Sequence, residues 1–295
     1  MAIRHNQIHR LTIIAIAIVA YAVLNITHEI IGHCGMDLLM GTRCTVISTT
    51  YIPLAQMPAQ WKYNIIVVAG CAANFTLALV CLALLRAARP PGFAPSLQPL
   101  PEEEERKQAV LTTRRVAFAR PTVRYFLWLL MSVNFFLAST YIAVAPIIKF
   151  GDSYILIQNL PAQMFWRPVV ALAGATALWF SFRLSRVELG RLIGFGGRAA
   201  RTVALELVAP AYVAGGGLTV ASALFSQLAA KWAQLEAAGG TFGLTIWLLL
   251  LPFVVPERLT VEPQTIRVPR SIGWLVAGAF TAAIFIGILG RGIAL

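Results

Sequence analysis

Long apolar runs alternate with short polar segments along the chain. At about 20 consecutive apolar residues per crossing, the runs 11–34, 63–85, 125–148, 165–184, 203–228, 241–255 and 272–293 are candidate spans, the sixth being the shortest. The pattern predicts an all-α polytopic membrane protein with about seven transmembrane helices. The polar segments between the runs differ in charge. The N-terminus and the segments 86–124, 183–201 and 256–270 hold 18 of the 24 Lys and Arg residues, and the alternate segments hold the other six. Short cytoplasmic loops collect positive charge, so this split predicts a cytoplasmic N-terminus and a C-terminus on the outside.

Composition points the same way. With 58% hydrophobic residues, 12% charged residues and a mean hydropathy of +0.74, the chain falls outside the range of soluble domains. Its first apolar run is too long for a secretory signal peptide and is one of several. The net charge of +12 is what a positive-inside membrane protein generates by itself, and no nucleic-acid partner is expected. The expected setting is multi-pass in a bacterial inner (cytoplasmic) membrane, with membrane lipids as surroundings. Residues 86–124 are Pro-rich and then charged, which reads as a flexible cytoplasmic linker ending in a short surface helix. It separates residues 1–85, with two spans, from residues 125–295, with five.

One polar interruption stands out. The stretch "NITHEIIGHCG", residues 25–35, puts His28, Glu29 and His33 at the end of the first span. Ionisable groups at membrane depth are costly unless paired, hydrated or bound to a metal. The chemistry that wants His, Glu and His on one helix is metal-dependent hydrolysis. Two imidazoles and a third ligand hold zinc, the fourth position holds a water of lowered pKa, and the Glu takes that water's proton. The spacing is unusual, because five residues of regular helix turn His33 by about 140° from His28. Either a one-residue π-bulge brings the two histidines together, or Glu29 is itself a ligand. Gly32 lies inside the turn that must widen and lowers its steric cost, which favours the bulge.

Candidates for a third ligand are few. Aspartate occurs only as Asp37 and Asp152. In the seven-span arrangement the third span leaves the membrane on the same side as the first, bringing Asp152 to the depth of the histidines. Asn74, in "AGCAANF", lies in the second span. Its amide is read either as a donor to a developing oxyanion or as an ordinary interhelical hydrogen bond. Of the four cysteines, Cys34 and Cys44 fall on the outer side and could pair in an oxidising compartment. Plain burial is nevertheless the expectation for all four, Cys71 and Cys81 included. Gly215, Gly216 and Gly217 in the fifth span suggest close helix packing or a kink.

A His-Glu motif ending the first span, an Ala-Gly-x-x-x-Asn-Phe segment in the second and an Asp after a Pro-containing later span resemble the site-2 protease family of intramembrane zinc metalloproteases. The resemblance covers roughly residues 20–160. It implies that His28, His33 and Asp152 bind zinc and that Glu29 is the base, with Asn74 matching the family's asparagine near the active site. "TRCTVISTTYIPLA", after the first span, resembles the family's membrane-associated β element, which aligns an extended substrate by strand addition. Three departures are visible. The family motif is His-Glu-x-x-His, whereas "HEIIGH" has one residue more and resembles instead the zinc motif of dipeptidyl peptidase III. The family's Asp-Gly is Gly151-Asp152 here, and the loop charges put the site outside rather than toward the cytoplasm. The expected function is cleavage of a transmembrane peptide or protein within or beside the membrane. The alternative is a non-catalytic subunit of a membrane complex that keeps the fold and the metal.

Overall fold

The computed structural model describes residues 8–49, 58–87, 120–149, 151–158, 160–194, 197–226, 231–255 and 266–295. Helix α1 (Arg10–Asn25) runs without a break into a π-helical segment (Ile26–Cys34) and then a short α2 (Gly35–Leu39). After strand β1 (Val46–Ile47) come α3 (Gln60–Ala87), α4 (Pro121–Ile148), the short α5 (Asp152–Gln158), α6 (Gln163–Ile193) and α7 (Gly197–Leu224). The chain ends with α8 (Lys231–Leu244), a 3-10 helix (Ile246–Val254), α9 (Ile272–Ile284), a π turn (Phe285–Leu289) and strand β2 (Ile293–Ala294). Most of the expected 86–124 linker lies outside the described residues.

Six helical stretches are long and apolar enough to cross a membrane: Arg10–Leu39, Gln60–Ala87, Pro121–Ile148, Gln163–Ile193, Gly197–Leu224 and Ile272–Leu289. The sixth expected span differs from the other runs, since Ala238–Val254 is a shorter apolar helical stretch. The α-helix ends there at Leu244, and the adjoining 3-10 helix contains Pro252, which has no N–H to give a helical ladder.

Helix α4 is the axis of the bundle, packed between α3 and α6. A proline at its first position suits a helix start, where the N–H would go unpaired. Tyr125, Trp128 and Phe136 are fully buried along it. Their polar tips are satisfied: the Tyr125 hydroxyl donates to Leu207 O at 2.8 Å and Trp128 Nε1 donates to Ser185 O at 3.0 Å. Small residues let neighbours close in. Gly215 lies under the Tyr21 ring and Gly216 under that of Phe242, while Gly217 faces open space. The glycine run therefore serves close packing. In contrast, α6 and α9 turn apolar side chains outward, among them Phe165, Leu172, Trp179, Val276 and Phe280.

The two ends of the chain are tied together at both ends of α1. At its start, His9 N donates to Val268 O at 2.8 Å, and Ile8 and Val268 form a parallel bridge. Beyond its end, β1 pairs antiparallel with β2, Val46 opposite Ala294 and Ile47 opposite Ile293. Helix α9 thus lies along α1 and runs in the same direction. The expected β element is present as this two-residue strand, and its partner is the chain's own C-terminal strand; residues 50–57 lie outside the described residues.

Candidate metal centre

The π-helical segment answers the spacing problem posed by "HEIIGH". Its hydrogen bonds close over five residues rather than four, so residues five apart stack on one side. His28 and His33 consequently face each other, with ring centroids 4.8 Å apart and planes at 88°. Gly32 enables the close approach of this segment to α3. A side chain there would strike the Gly70 backbone, with Cβ at 2.6 Å from its Cα. Gly70 in turn forms the floor beneath both imidazoles. A Cβ on Gly70 would lie 2.6 Å from His33 Nε2 and 2.8 Å from His28 Cε1.

Asp152 arrives from just beyond the C-terminal end of α4. Helix α4 ends at Pro146–Ile148, with Lys149 in the left-handed conformation and its N–H on Ala145 O. The Arg167 guanidinium donates to Pro146 O and Ile147 O at 2.8 and 3.2 Å, satisfying carbonyls that the helix end leaves free. Gly151 comes next at φ +86°, and a Cβ on it would sit 2.6 Å from the Tyr141 hydroxyl oxygen. The Gly-Asp order is therefore a local requirement of this turn. Asp152 opens α5 with Oδ2 3.4 Å from His28 Nε2 and 3.3 Å from His33 Nε2. Tyr141 closes the wall, its ring edge-on to His28 at 5.9 Å.

Hydrogen bonding fixes what these atoms present to one another. His33 Nδ1 lies 2.8 Å from Ile66 O, a carbonyl that can only accept, so this nitrogen carries a proton. His28 Nδ1 lies 2.8 Å from Asn74 Oδ1 and is a donor likewise. In each neutral ring the lone pair is then on Nε2, aimed at Asp152 Oδ2. That oxygen is buried and has no hydrogen bond of normal geometry. Three electron-pair donors meet at one place, a set that needs positive charge between them. Burial opposes ionisation of Asp152, but when His33 and His28 are protonated in place of a metal their positive charge outweighs it and holds the carboxyl well below the usual carboxylate range.

The donor atoms of His28, His33 and Asp152 lie within 4.8 Å of one another, as one metal ion requires, and Glu29 is outside this group. Glu29 is half-buried and within electrostatic reach of all three. Two imidazoles and a carboxylate are a donor set that zinc accepts, with a position left open, and the second nitrogen of each His has the oxygen partner that metal-bound histidines usually show. The residues therefore fit a metal ion.

One open reading narrows, that of Asn74 toward the interhelical hydrogen bond, and one expectation changes. Both N–H groups of Asn74 are engaged, by Leu24 O at 3.3 Å and Asn134 Oδ1 at 2.6 Å, so the amide is not free to donate to an oxyanion in this arrangement. Asn74 acts on His28 instead. Cys34 and Cys44, expected as plain buried thiols, form a disulfide that fastens the residue after His33 to the segment before β1, whereas Cys71 and Cys81 are free and buried. Sequence reading quoted Gly70 within the Ala-Gly-x-x-x-Asn-Phe segment without giving it a role, and passed over Asn134. Gly70 was accessible to it, lying one helical turn before Asn74 and hence on the same face. Asn134 carries no local signal within its apolar run. Comparison with known families, curated proteins and solved structures gives no match for this chain.

Proposed function

We propose that this chain is a zinc-dependent hydrolase of the site-2 protease type, cleaving a peptide bond within or beside a membrane. The observation that carries the reading is the convergence of His28 Nε2, His33 Nε2 and Asp152 Oδ2, with both Nδ1 protons held by carbonyl oxygens. Bound zinc would supply a Lewis acid and lower the pKa of a water to about 7. Glu29, beside the ligands but not among them, would take a proton from the attacking water and return it to the leaving amine. Asn74 and Ile66 O hold the imidazoles in the tautomer that binds a metal. Gly70 keeps the space beneath them open.

The same reading includes seven crossings. Since α9 runs parallel to α1, the chain must return across the bundle between α7 and α9. The stretch from Lys231 to Val254 makes that return: Thr241 reaches Asn25 near one end of α1, and Phe253 lies under the Arg201 guanidinium at the start of α7. Fourteen α-helical and nine 3-10 residues span about 39 Å at 1.5 and 2.0 Å per residue. That exceeds the roughly 30 Å of a hydrocarbon core. With the N-terminus cytoplasmic, the site and the Cys34–Cys44 disulfide lie toward the outer side, in keeping with the oxidising compartments where disulfides persist.

Glu29→Gln tests the assignment. Zinc content should stay near one per chain while cleavage of a transmembrane substrate falls about 10²- to 10⁴-fold, the share general base catalysis supplies. A parent that binds zinc, cleaves nothing and co-purifies with large membrane partners would favour the accessory-subunit reading.

A further inference from the structure

His33 and His28 reach the same tautomer by different means. The carbonyl beside His33 Nδ1 is backbone and can only accept. The group beside His28 Nδ1 is a side-chain amide, which presents an acceptor in one orientation and a donor in the other. If Asn74 were flipped, its N–H would face His28 Nδ1 and drive the ring proton to Nε2, pointing it at the place where a metal must bind. Something must therefore set the direction of the Asn74 amide.

Asn134, fully buried in the middle of α4, is placed to do this. Its own orientation is fixed from within its helix, because Nδ2 donates to Leu130 O at 2.7 Å. Its Oδ1 is thereby turned toward α3 and accepts from Asn74 Nδ2 at 2.6 Å, a shorter contact than the 3.3 Å from the same nitrogen to Leu24 O. The Asn74 oxygen is left facing His28 Nδ1 at 2.8 Å. We infer that Asn134 is a positioning residue that selects the metal-binding tautomer of His28 through Asn74. The inference rests on the metal-site reading. It gives α4 two parts in the centre: its C-terminal end leads to Asp152, and its middle sets His28 from behind.

Zinc binding in detergent, measured by competition with a chromophoric chelator, tests the relay without needing a substrate. Asn134→Leu removes the acceptor and should weaken zinc about 10- to 100-fold, the usual effect of losing a partner behind a ligand. Asn134→Asp, when protonated, donates to Leu130 O and still accepts from Asn74, and it should restore affinity to within a few-fold of the parent. Asn74→Asp separates tautomer control from packing, because a carboxylate accepts from His28 Nδ1 in either orientation. In that background Asn134→Leu should change zinc affinity by no more than a few-fold. Asn134→Ala, less bulky, is measured beside Asn134→Leu in case the latter does not fold. The inference is overturned if the Leu and Ala variants bind zinc as tightly as the parent. It is equally overturned if Asn134→Leu or Asn134→Ala is as damaging in the Asn74→Asp background as in the parent, the result a packing role alone would give. A parent that takes up no zinc would instead overturn the metal-site reading itself.

Discussion

Glu29 is close to the converging ligand atoms but outside their group, while Gly70 touches both imidazoles and has no chemistry of its own. These two residues fail in opposite ways when replaced. On the proposed reading, Glu29→Gln would leave the ligands in place and remove the base, whereas Gly70→Ala would leave the base and push a methyl group into His33 Nε2 and His28 Cε1. Gly70→Ala should weaken zinc about 10- to 100-fold, since displacements of about 1 Å in such a site cost that much; the chelator competition reads it directly. Affinity equal to that of the parent would mean that Gly70 has no part in shaping the site. The motif residues were legible from the sequence because ionisable groups are rare in apolar runs. Gly70 and Asn134 were less so, because a glycine or an asparagine in a span has many ordinary uses and only contacts from other helices give these two their roles.

At the scale of the element, the π-helical segment is what makes a five-residue His spacing workable. The sequence posed this as a choice between a widened turn and Glu29 as a ligand, and the structure has the widened turn, with Glu29 outside the ligand group. A π-helical segment is in effect one residue inserted into an α-helix, so removing one residue from it should restore regular helix without rotating the residues beyond it. Ile31 is the suitable one, being 62% exposed. Its deletion gives a His-Glu-x-x-His spacing, for which zinc affinity within about tenfold of the parent is expected, with Cys34 and Cys44 still able to pair. Deletion of the buried Ala20 in α1, where the helix is regular, should instead rotate the motif by about 100° and abolish binding. Equal loss in both would show that the π geometry does not set the ligand register. The disulfide was the element-scale feature least legible beforehand, because nothing in the sequence showed that the segment after α2 folds back far enough to bring Cys44 to Cys34.

Across the whole molecule, the apolar runs pointed to the helices and loop charge to an expected orientation, but the sixth run was ambiguous because it was the shortest, and it is an α-helix continued as a 3-10 helix. What the sequence could not show was that α9 lies beside α1, a pairing made by segments more than 200 residues apart. The seven-crossing arrangement predicts that a reporter active only outside the cytoplasm is active when fused after Leu295 and inactive when placed in the segment 88–119; activity at both positions, or the reverse pattern, would contradict it. The most direct test of the central claim is X-ray absorption at the zinc edge on gently purified protein. It should show one zinc per chain with two imidazole nitrogens and at least one oxygen at about 2.0–2.2 Å, and the signal should disappear in His28→Ala, His33→Ala and Asp152→Ala. Protein with no bound metal, or a zinc signal unchanged by those three substitutions, would contradict it.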